Sequence, residues 1–333
     1  MRVTVVGAGV AGLVVATELA ERGVAIELID RGERLGAESC SWCAGGMLAP
    51  WCERESAEPV VAERGLAALD WWSKRVPDVA QRGTLVVAPP RDVGELSNFA
   101  RRTERFRWVE GDEIGELEPD LSARFRRGLF FPDEGHLDPR LALVALLDRL
   151  RDFGAAIRFG VEADLNEIEA DAILDCRGFA ARDDLKELRG VRGEMLVVRM
   201  RDVAFTRPIR LLHPRIPLYV VPRADHCFMI GATMVESAER RGVTARAAVD
   251  LLNAAYALHP AFAEAEIIEM RAGVRPAFPD NLPRVFRRRR TIHLNGFYRH
   301  GFLLSPAYAR LAADMALNMT EDRHEDSRER LRA

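Results

Sequence analysis

The chain reads as a mixed α/β (α+β) protein in which an α/β unit is interleaved with an antiparallel sheet. Three observations carry that reading. Val3-Thr4-Val5-Val6 is an apolar run, followed by a glycine turn, a helical stretch and a second apolar run ending at Asp30. From Gly193 to Thr233 the pattern changes to short apolar runs with turn residues between them, as in an antiparallel sheet. The α/β pattern then returns, with a strand over 291–295, a turn over 296–301 and a helix over 305–319.

The elements follow in order. Gly7-Ala8-Gly9-Val10-Ala11-Gly12 leads into a helix over 13–22 and a strand over 25–30. Residues 36–52 have neither period 2 nor period 3.6 and read as a loop or a helix start. The stretch 58–75 predicts one helix with Leu66, Leu69 and Trp72 on one face. A strand over 84–88 stops at Pro89-Pro90, and 91–105 suggests a surface helix. Residues 128–136 form a strand and turn, after which Asp138 caps a helix reaching about Phe153 with Pro139 in its first turn. Strands over 156–159 and 172–175 close on Cys176-Arg177-Gly178 and rejoin the first sheet.

In the antiparallel part the strands are 195–200, 209–213, 218–221 and 227–233. Thr244 caps an amphipathic helix to about His259, and 267–272 is a further strand. The charged tail beyond Thr320 is expected to fray.

Composition narrows the function. The 333 residues exceed a usual single domain, so two substructures are expected. A net charge of -3 gives no reason to expect a nucleic-acid partner. No run of eighteen apolar residues and no charged leader is present, which predicts a soluble cytoplasmic protein without membrane contact. Cys40, Cys43, Cys52, Cys176 and Cys227, an odd and scattered set, argue against a disulfide framework. Cys40 and Cys43 form a C-x₂-C pair without a second pair or a histidine cluster, so no metal is expected. Lysine is almost absent, with only Lys74 and Lys186, so anion sites must use arginine, whose planar fork suits carboxylates.

The opening turn is a dinucleotide fingerprint with its context intact. Gly7 permits the tight turn, Gly9 lets backbone approach a pyrophosphate, and Gly12 lets the helix pack on the sheet. The helix N-terminus offers N–H donors to phosphate, and Asp30 stands where a carboxylate accepts from ribose hydroxyls. Three further motifs join it. The small residues within Ser41-Trp42-Cys43-Ala44-Gly45-Gly46-Met47-Leu48-Ala49-Pro50 let backbone lie against a flat ring, the alternative being an ordinary glycine-rich turn. Arg275, ahead of Pro276, is placed either to hold a carboxylate bidentately or to sit in a surface salt bridge, as arginines in so arginine-rich a chain often do. The turn Gly296-Phe297-Tyr298-Arg299-His300-Gly301 opens a helix whose positive end suits an electron-rich ring edge.

Together with Tyr219-Val220-Val221-Pro222-Arg223 and Gly231-Ala232-Thr233, these motifs resemble the D-amino-acid-oxidase superfamily of flavoproteins, and most closely the glycine oxidases of thiamine biosynthesis. The resemblance implies non-covalent FAD in a glutathione-reductase-like Rossmann domain, residues 1–75, 130–190 and 270–333, and a substrate domain, residues 76–129 and 191–269. It implies hydride transfer from glycine or a related small amine to the flavin, giving an imine, with O₂ reduced to H₂O₂. The alternatives are a D-amino-acid dehydrogenase with another acceptor and a non-catalytic flavin-binding protein.

By motif, Arg275 would pair the substrate carboxylate, Tyr219 would hydrogen-bond it, and Arg299 would lie beside the amine or the flavin edge. Gly7, Ala8, Gly9, Ala11, Gly12, Asp30 and Arg31 would hold the adenosine-diphosphate part, with Val161 beside the adenine. Ala44, Gly45, Gly46 and Met47 would contact the isoalloxazine. Cys176, Gly178, Gly296, Tyr298, His300, Gly301, Phe302 and Leu303 complete the implied cofactor set. Relatives also imply a homo-oligomer, a tetramer among them. The stretch Pro214-Arg215-Ile216-Pro217 before Tyr219 departs from the family pattern, and neither lysine falls in a flavin motif. His226 reads as a solvent-exposed turn residue and His213 as structural.

Overall fold

The computed structural model describes residues 1–213 and 217–330. A six-stranded sheet runs in the order Arg284–Arg288, Thr291–Asn295, Ala172–Asp175, Arg2–Val6, Ala25–Asp30, Ala156–Phe159. Its neighbours are parallel except for the hairpin of the first two strands. The helices Val10–Glu21, Pro139–Asp152 and Gly301–Arg330 share one apolar core with this sheet. The central strands Arg2–Val6, Ala172–Asp175 and Thr291–Asn295 are buried over nearly their whole length, as inner strands of a largely parallel sheet are.

A nine-stranded sheet forms the second body. Its longest members, Arg189–Arg199 and Glu266–Ala277, pair antiparallel along their lengths. The helix Ala245–Leu258, capped by the Thr244 hydroxyl accepting from Ala247 N–H, packs on it through a separate core. Strands Thr84–Val87 and Arg127–Phe131 belong to this sheet, so the chain enters it, leaves it and re-enters it. That is the interleaving the sequence predicts.

Several expectations need correction. The stretch 58–75 is two helices, Pro59–Gly65 and Ala68–Ser73. Gly65 ends the first, the buried face of the second is Ala68, Trp71 and Trp72, and Leu66 is 52% exposed. The surface helix of 91–105 shrinks to Gly94–Ala100 behind a 3₁₀ turn, Pro90–Asp92, since Pro and Gly delay its start. Residues 36–52 are not a plain loop: they hold the 3₁₀ turn Cys40–Cys43, the strand Met47–Leu48 and the short helix Pro50–Glu53. The strand Arg107–Glu110 and helix Gly111–Leu117, the latter with a capping box from Glu110 and Glu113, were not anticipated.

The last helix starts at Gly301, not at 305, and its backbone continues through the expected frayed tail to Arg330. Beyond Pro306 it holds no Gly or Pro to stop it. Pro306 lacks the N–H that would serve the Phe302 carbonyl. The buried indole N–H of Trp72 donates to that carbonyl instead, at 2.8 Å. One side chain from the second helix of the 58–75 pair thus repairs a proline in a helix more than two hundred residues away. Among the described residues no helix is long and apolar enough to cross a membrane.

Candidate active site

A continuous cavity of about 940 Å³ runs from the glycine turn to the large sheet. At one end Gly7 has φ +108, and a Cβ there would come 2.5 Å from the Cys176 carbonyl oxygen. Gly7, Gly9 and Ala11 line the cavity. Ala8 and Gly12 do not, and they act from behind: Ala8 N–H donates to Asp30 Oδ2 at 2.6 Å, and Gly12 abuts the Gly7 carbonyl. Asp30 also accepts from Gly32 N–H at 2.8 Å, which fixes its carboxylate at the cavity wall. Arg31 pairs with Glu38, and Val161 is held beside Asp30 by its N–H to the Asp30 carbonyl, 3.0 Å. The Ser41 hydroxyl, missed from sequence, accepts from Val10 N–H at 3.1 Å on the first helix turn. Cys176 and Gly178 line the same end, where burial pushes the Cys176 thiol up.

The middle of the cavity is walled by Ala44, Gly45, Gly46 and Met47. Gly46 has φ +73, and a side chain there would collide with the Leu137 carbonyl. Arg223 fastens this loop: its guanidinium donates to the carbonyls of Gly45 (2.8 Å) and Leu137 (3.0 Å) and pairs with Asp138 (3.3 Å). The Asp138 that caps the helix Pro139–Asp152 therefore also anchors the ring-facing loop. Burial pushes the Cys43 thiol up to about 11, so it stays protonated near neutral pH.

At the far end the strand Leu218–Pro222 presents Tyr219, whose ring fits between Gly45 and Gly231. The strand Glu266–Ala277 presents Arg275. Gly193 and Gly273 face each other across the two long strands. A Cβ at Gly193 would overlap the Arg275 guanidinium, so the missing side chain is what admits it. Arg275 donates to the Thr233 carbonyl at 3.1 Å. Eight arginines line the cavity, and seven pair with a carboxylate; among the described residues Arg275 has none.

The turn after Asn295 brings Tyr298, Arg299, His300, Gly301, Phe302 and Leu303 to the wall, while Gly296 lies behind it against Phe278. Arg299 meets Glu53 through Nε (2.9 Å) and Nη2 (2.6 Å). Arg210 reaches the other carboxylate oxygen of Glu53 at 3.1 Å, and His300 Nδ1 stands 3.4 Å away. Burial opposes ionisation of Glu53, yet Arg299, Arg210 and His300 hold its carboxyl down to about 2. Burial pulls His300 down to about 4, so its ring is neutral at pH 7. Glu53 and Arg210 sit in stretches with no recognisable motif, so no sequence signal marked them. His226 is exposed, as expected, and His213 lines the cavity.

Behind this cluster Glu134 is fully buried and accepts from Cys52 N–H at 2.7 Å. Burial pushes its carboxyl from 4.5 up to about 7, against the pull of Thr84, Cys52 and Arg210. A raised folded pKa means its contribution is full below pH 4.5 and lost as pH rises through 7. Glu134's own contribution to stability should therefore fall by roughly 3 kcal/mol across that window, opposite in sign to that of His300, whose lowered value gains stability as pH rises. Glu134→Gln keeps an acceptor and should remove this component, so the difference in stability between variant and wild type should move in the variant's favour from pH 4.5 to 8. Thermal midpoints from pH 4.5 to 8 decide it, and parallel profiles would exclude Glu134 as the source.

The two sheets, the glycine turn and the shared cavity are those of an oxidoreductase-type enzyme that binds a dinucleotide. The sequence profile described as FAD dependent oxidoreductase (DAO) matches residues 2–315, and the chain belongs to that family. A Rhizobium etli protein bearing the name thiamine biosynthesis oxidoreductase ThiO is 54% identical over 310 residues, covering 93% of this chain and 94% of its own. A glycine oxidase of Pseudomonas aeruginosa is 30% identical, with 94% of both chains covered. The crystal structure of glycine oxidase from Geobacillus kaustophilus superposes with a TM-score of 0.79 over 95% of both chains, at 24% identity, a likeness of fold. FAD is thus the cofactor, and the structure fits it: Gly7 turns sharply, Gly9 has no side chain, and a helix N-terminus faces the cavity.

Proposed function

We propose that the protein is an FAD-dependent oxidase of glycine or a related small amino acid or amine, reducing O₂ to H₂O₂ and serving thiazole formation in thiamine biosynthesis. The observation that carries this reading is Arg275, the one cavity arginine without a carboxylate partner among the described residues. An unpaired guanidinium at a cavity wall is suited to a bidentate carboxylate. The names of the Rhizobium and Pseudomonas relatives support the amino-acid and thiamine parts of the reading.

Arg275 holds the substrate carboxylate, and the Tyr219 hydroxyl, on the neighbouring strand, hydrogen-bonds it. Arg299 closes the side nearest the amine. FAD, when bound, accepts the two electrons that leave the substrate C–N unit. The glycine turn with Asp30, Arg31 and Val161 holds the adenosine-diphosphate part, and the loop 44–47 with the 296–303 turn flanks the ring. Neither Glu53, engaged by two arginines, nor His300, at about 4, is suited to act as base for the amine. The substrate must then bind with a neutral amine, and the protein contributes orientation.

The division into FAD-binding segments 1–75, 130–190 and 270–333 and substrate-binding segments 76–129 and 191–269 belongs to this proposal, as do a cytoplasmic location and a homo-oligomer. The test is anaerobic titration of the purified holoenzyme with glycine, sarcosine and D-alanine. The flavin bands should bleach with at least one, more readily as pH rises toward the amine's pKa, and air should return the colour with peroxide. No bleaching by any of the three would reject the substrate assignment.

A further inference from the structure

Two arginines, Arg299 and Arg210, meet one carboxylate, Glu53, at the wall of the cavity that Arg275 also lines. Arg299 directs Nε and Nη2 to Glu53 Oε2 and shares Nη2 with the Ser56 hydroxyl at 2.9 Å. Arg210 directs Nη2 to Oε1 of the same group and Nη1 to the Cys52 carbonyl at 3.2 Å. The Glu53 side chain is 14% exposed, and it lines the cavity together with both arginines and Arg275. Cys52, the residue before it, is tied through its N–H to buried Glu134. The carboxylate is therefore fixed from both sides.

We propose that Glu53 is a specificity-determining residue: it occupies Arg299 and Arg210 and so restricts the cavity to substrates with a single carboxylate. This rests on Arg275 being the anchor for that carboxylate. A substrate with a second carboxylate would have to direct it at the Arg299 wall. There the donors already point at Glu53, and the second carboxylate would face a fixed anion in a partly desolvated place. Like-charge juxtaposition is an effective means of rejecting a near-cognate ligand. Without Glu53, Arg299 keeps, among the described residues, the Ser56 hydroxyl and a 3.7 Å contact to Met234 sulfur, and a second unpaired guanidinium opens to the cavity.

The probes are glycolate and diglycolate, which carry one and two carboxylates and have no C–N bond to oxidise. Each is titrated into FAD-loaded enzyme at constant ionic strength and followed at the flavin bands. Wild type should prefer glycolate. In Glu53→Gln the diglycolate dissociation constant should fall by roughly tenfold or more while that of glycolate stays within about twofold. Glu53→Asp, which keeps the charge, should retain the wild-type preference. An unchanged ratio in FAD-loaded Glu53→Gln overturns the proposal. Should that variant fail to hold FAD, Glu53→Gln with Arg210→Met removes one charge of each sign; it must shift the ratio the same way, and an unchanged ratio overturns the proposal there too. If neither probe perturbs wild type, the Arg275 anchor itself fails and the proposal with it.

Discussion

Arg275→Met should weaken substrate binding by roughly 100-fold or more, as expected when a desolvated charge pair loses one partner. The holoenzyme should stay yellow, because among the described residues Arg275 donates to the Thr233 carbonyl and supports no carboxylate. Methionine preserves the apolar stem, so the loss reports the guanidinium. Gly193→Ala tests the same anchor from the opposite strand. Its new methyl would take the space of the guanidinium, which is the end of a flexible chain and can swing away. The variant should therefore fold and hold FAD, yet bind substrate less tightly. Anaerobic titration with glycine reads both. An affinity unchanged in Arg275→Met would remove Arg275 as the carboxylate anchor from the proposed function.

The contrast between Gly193 and Arg275 shows what sequence reasoning reaches. Arg275, which lies at the cavity wall with no carboxylate partner among the described residues, was singled out by the motif it shares with the flavoprotein superfamily. Gly193 was not, since its reason is a side chain on the facing strand. The same limit separates the elements. Strands Ala156–Phe159, Ala172–Asp175 and Thr291–Asn295 coincide with their sequence bounds. Each is a short apolar-rich run with clear punctuation at both ends. Arg284–Arg288 has three arginines in five residues and pairs along one side only, so no apolar run marked it. The stretch 58–75 has a helical period, but Gly65 and the partner helix decide which residues turn inward.

In the site, backbone-based motifs were legible and ion pairs were not. A glycine fingerprint encodes its own geometry within six residues. Glu53 acquires its role from Arg299, 246 positions away, and Arg223 from Gly45, 178 positions away. The scarcity of lysine sharpened one inference all the same. With arginine used for nearly every cation, being unpaired at a cavity wall becomes the informative property, and that is visible only in three dimensions.

Gly12→Ala should be the most damaging single methyl in the chain, and Gly9→Ala separates its two causes. At Gly12 the added Cβ would overlap the Gly7 carbonyl oxygen, a backbone atom with no rotamer to escape into. Relief requires moving the helix Val10–Glu21 off a sheet whose core residues on that helix, Leu13, Val14 and Val15, are fully buried. Overpacking ordinarily costs about 1–3 kcal/mol, and a backbone collision exceeds that, a large part of the roughly 5–15 kcal/mol that holds a typical domain. At Gly9 the nearest atom is the Ser39 hydroxyl at 3.2 Å, which can yield by a small shift. Gly9→Ala should then fold with a thermal midpoint close to the wild-type apoprotein, while its methyl occupies the approach to the pyrophosphate and flavin is lost. Soluble yield, apoprotein melting and flavin absorbance, measured on both variants, distinguish the two. A yellow Gly9→Ala protein would mean that the pyrophosphate does not pass over Gly9, and a stable Gly12→Ala protein would mean that helix and turn have more slack than their contact allows.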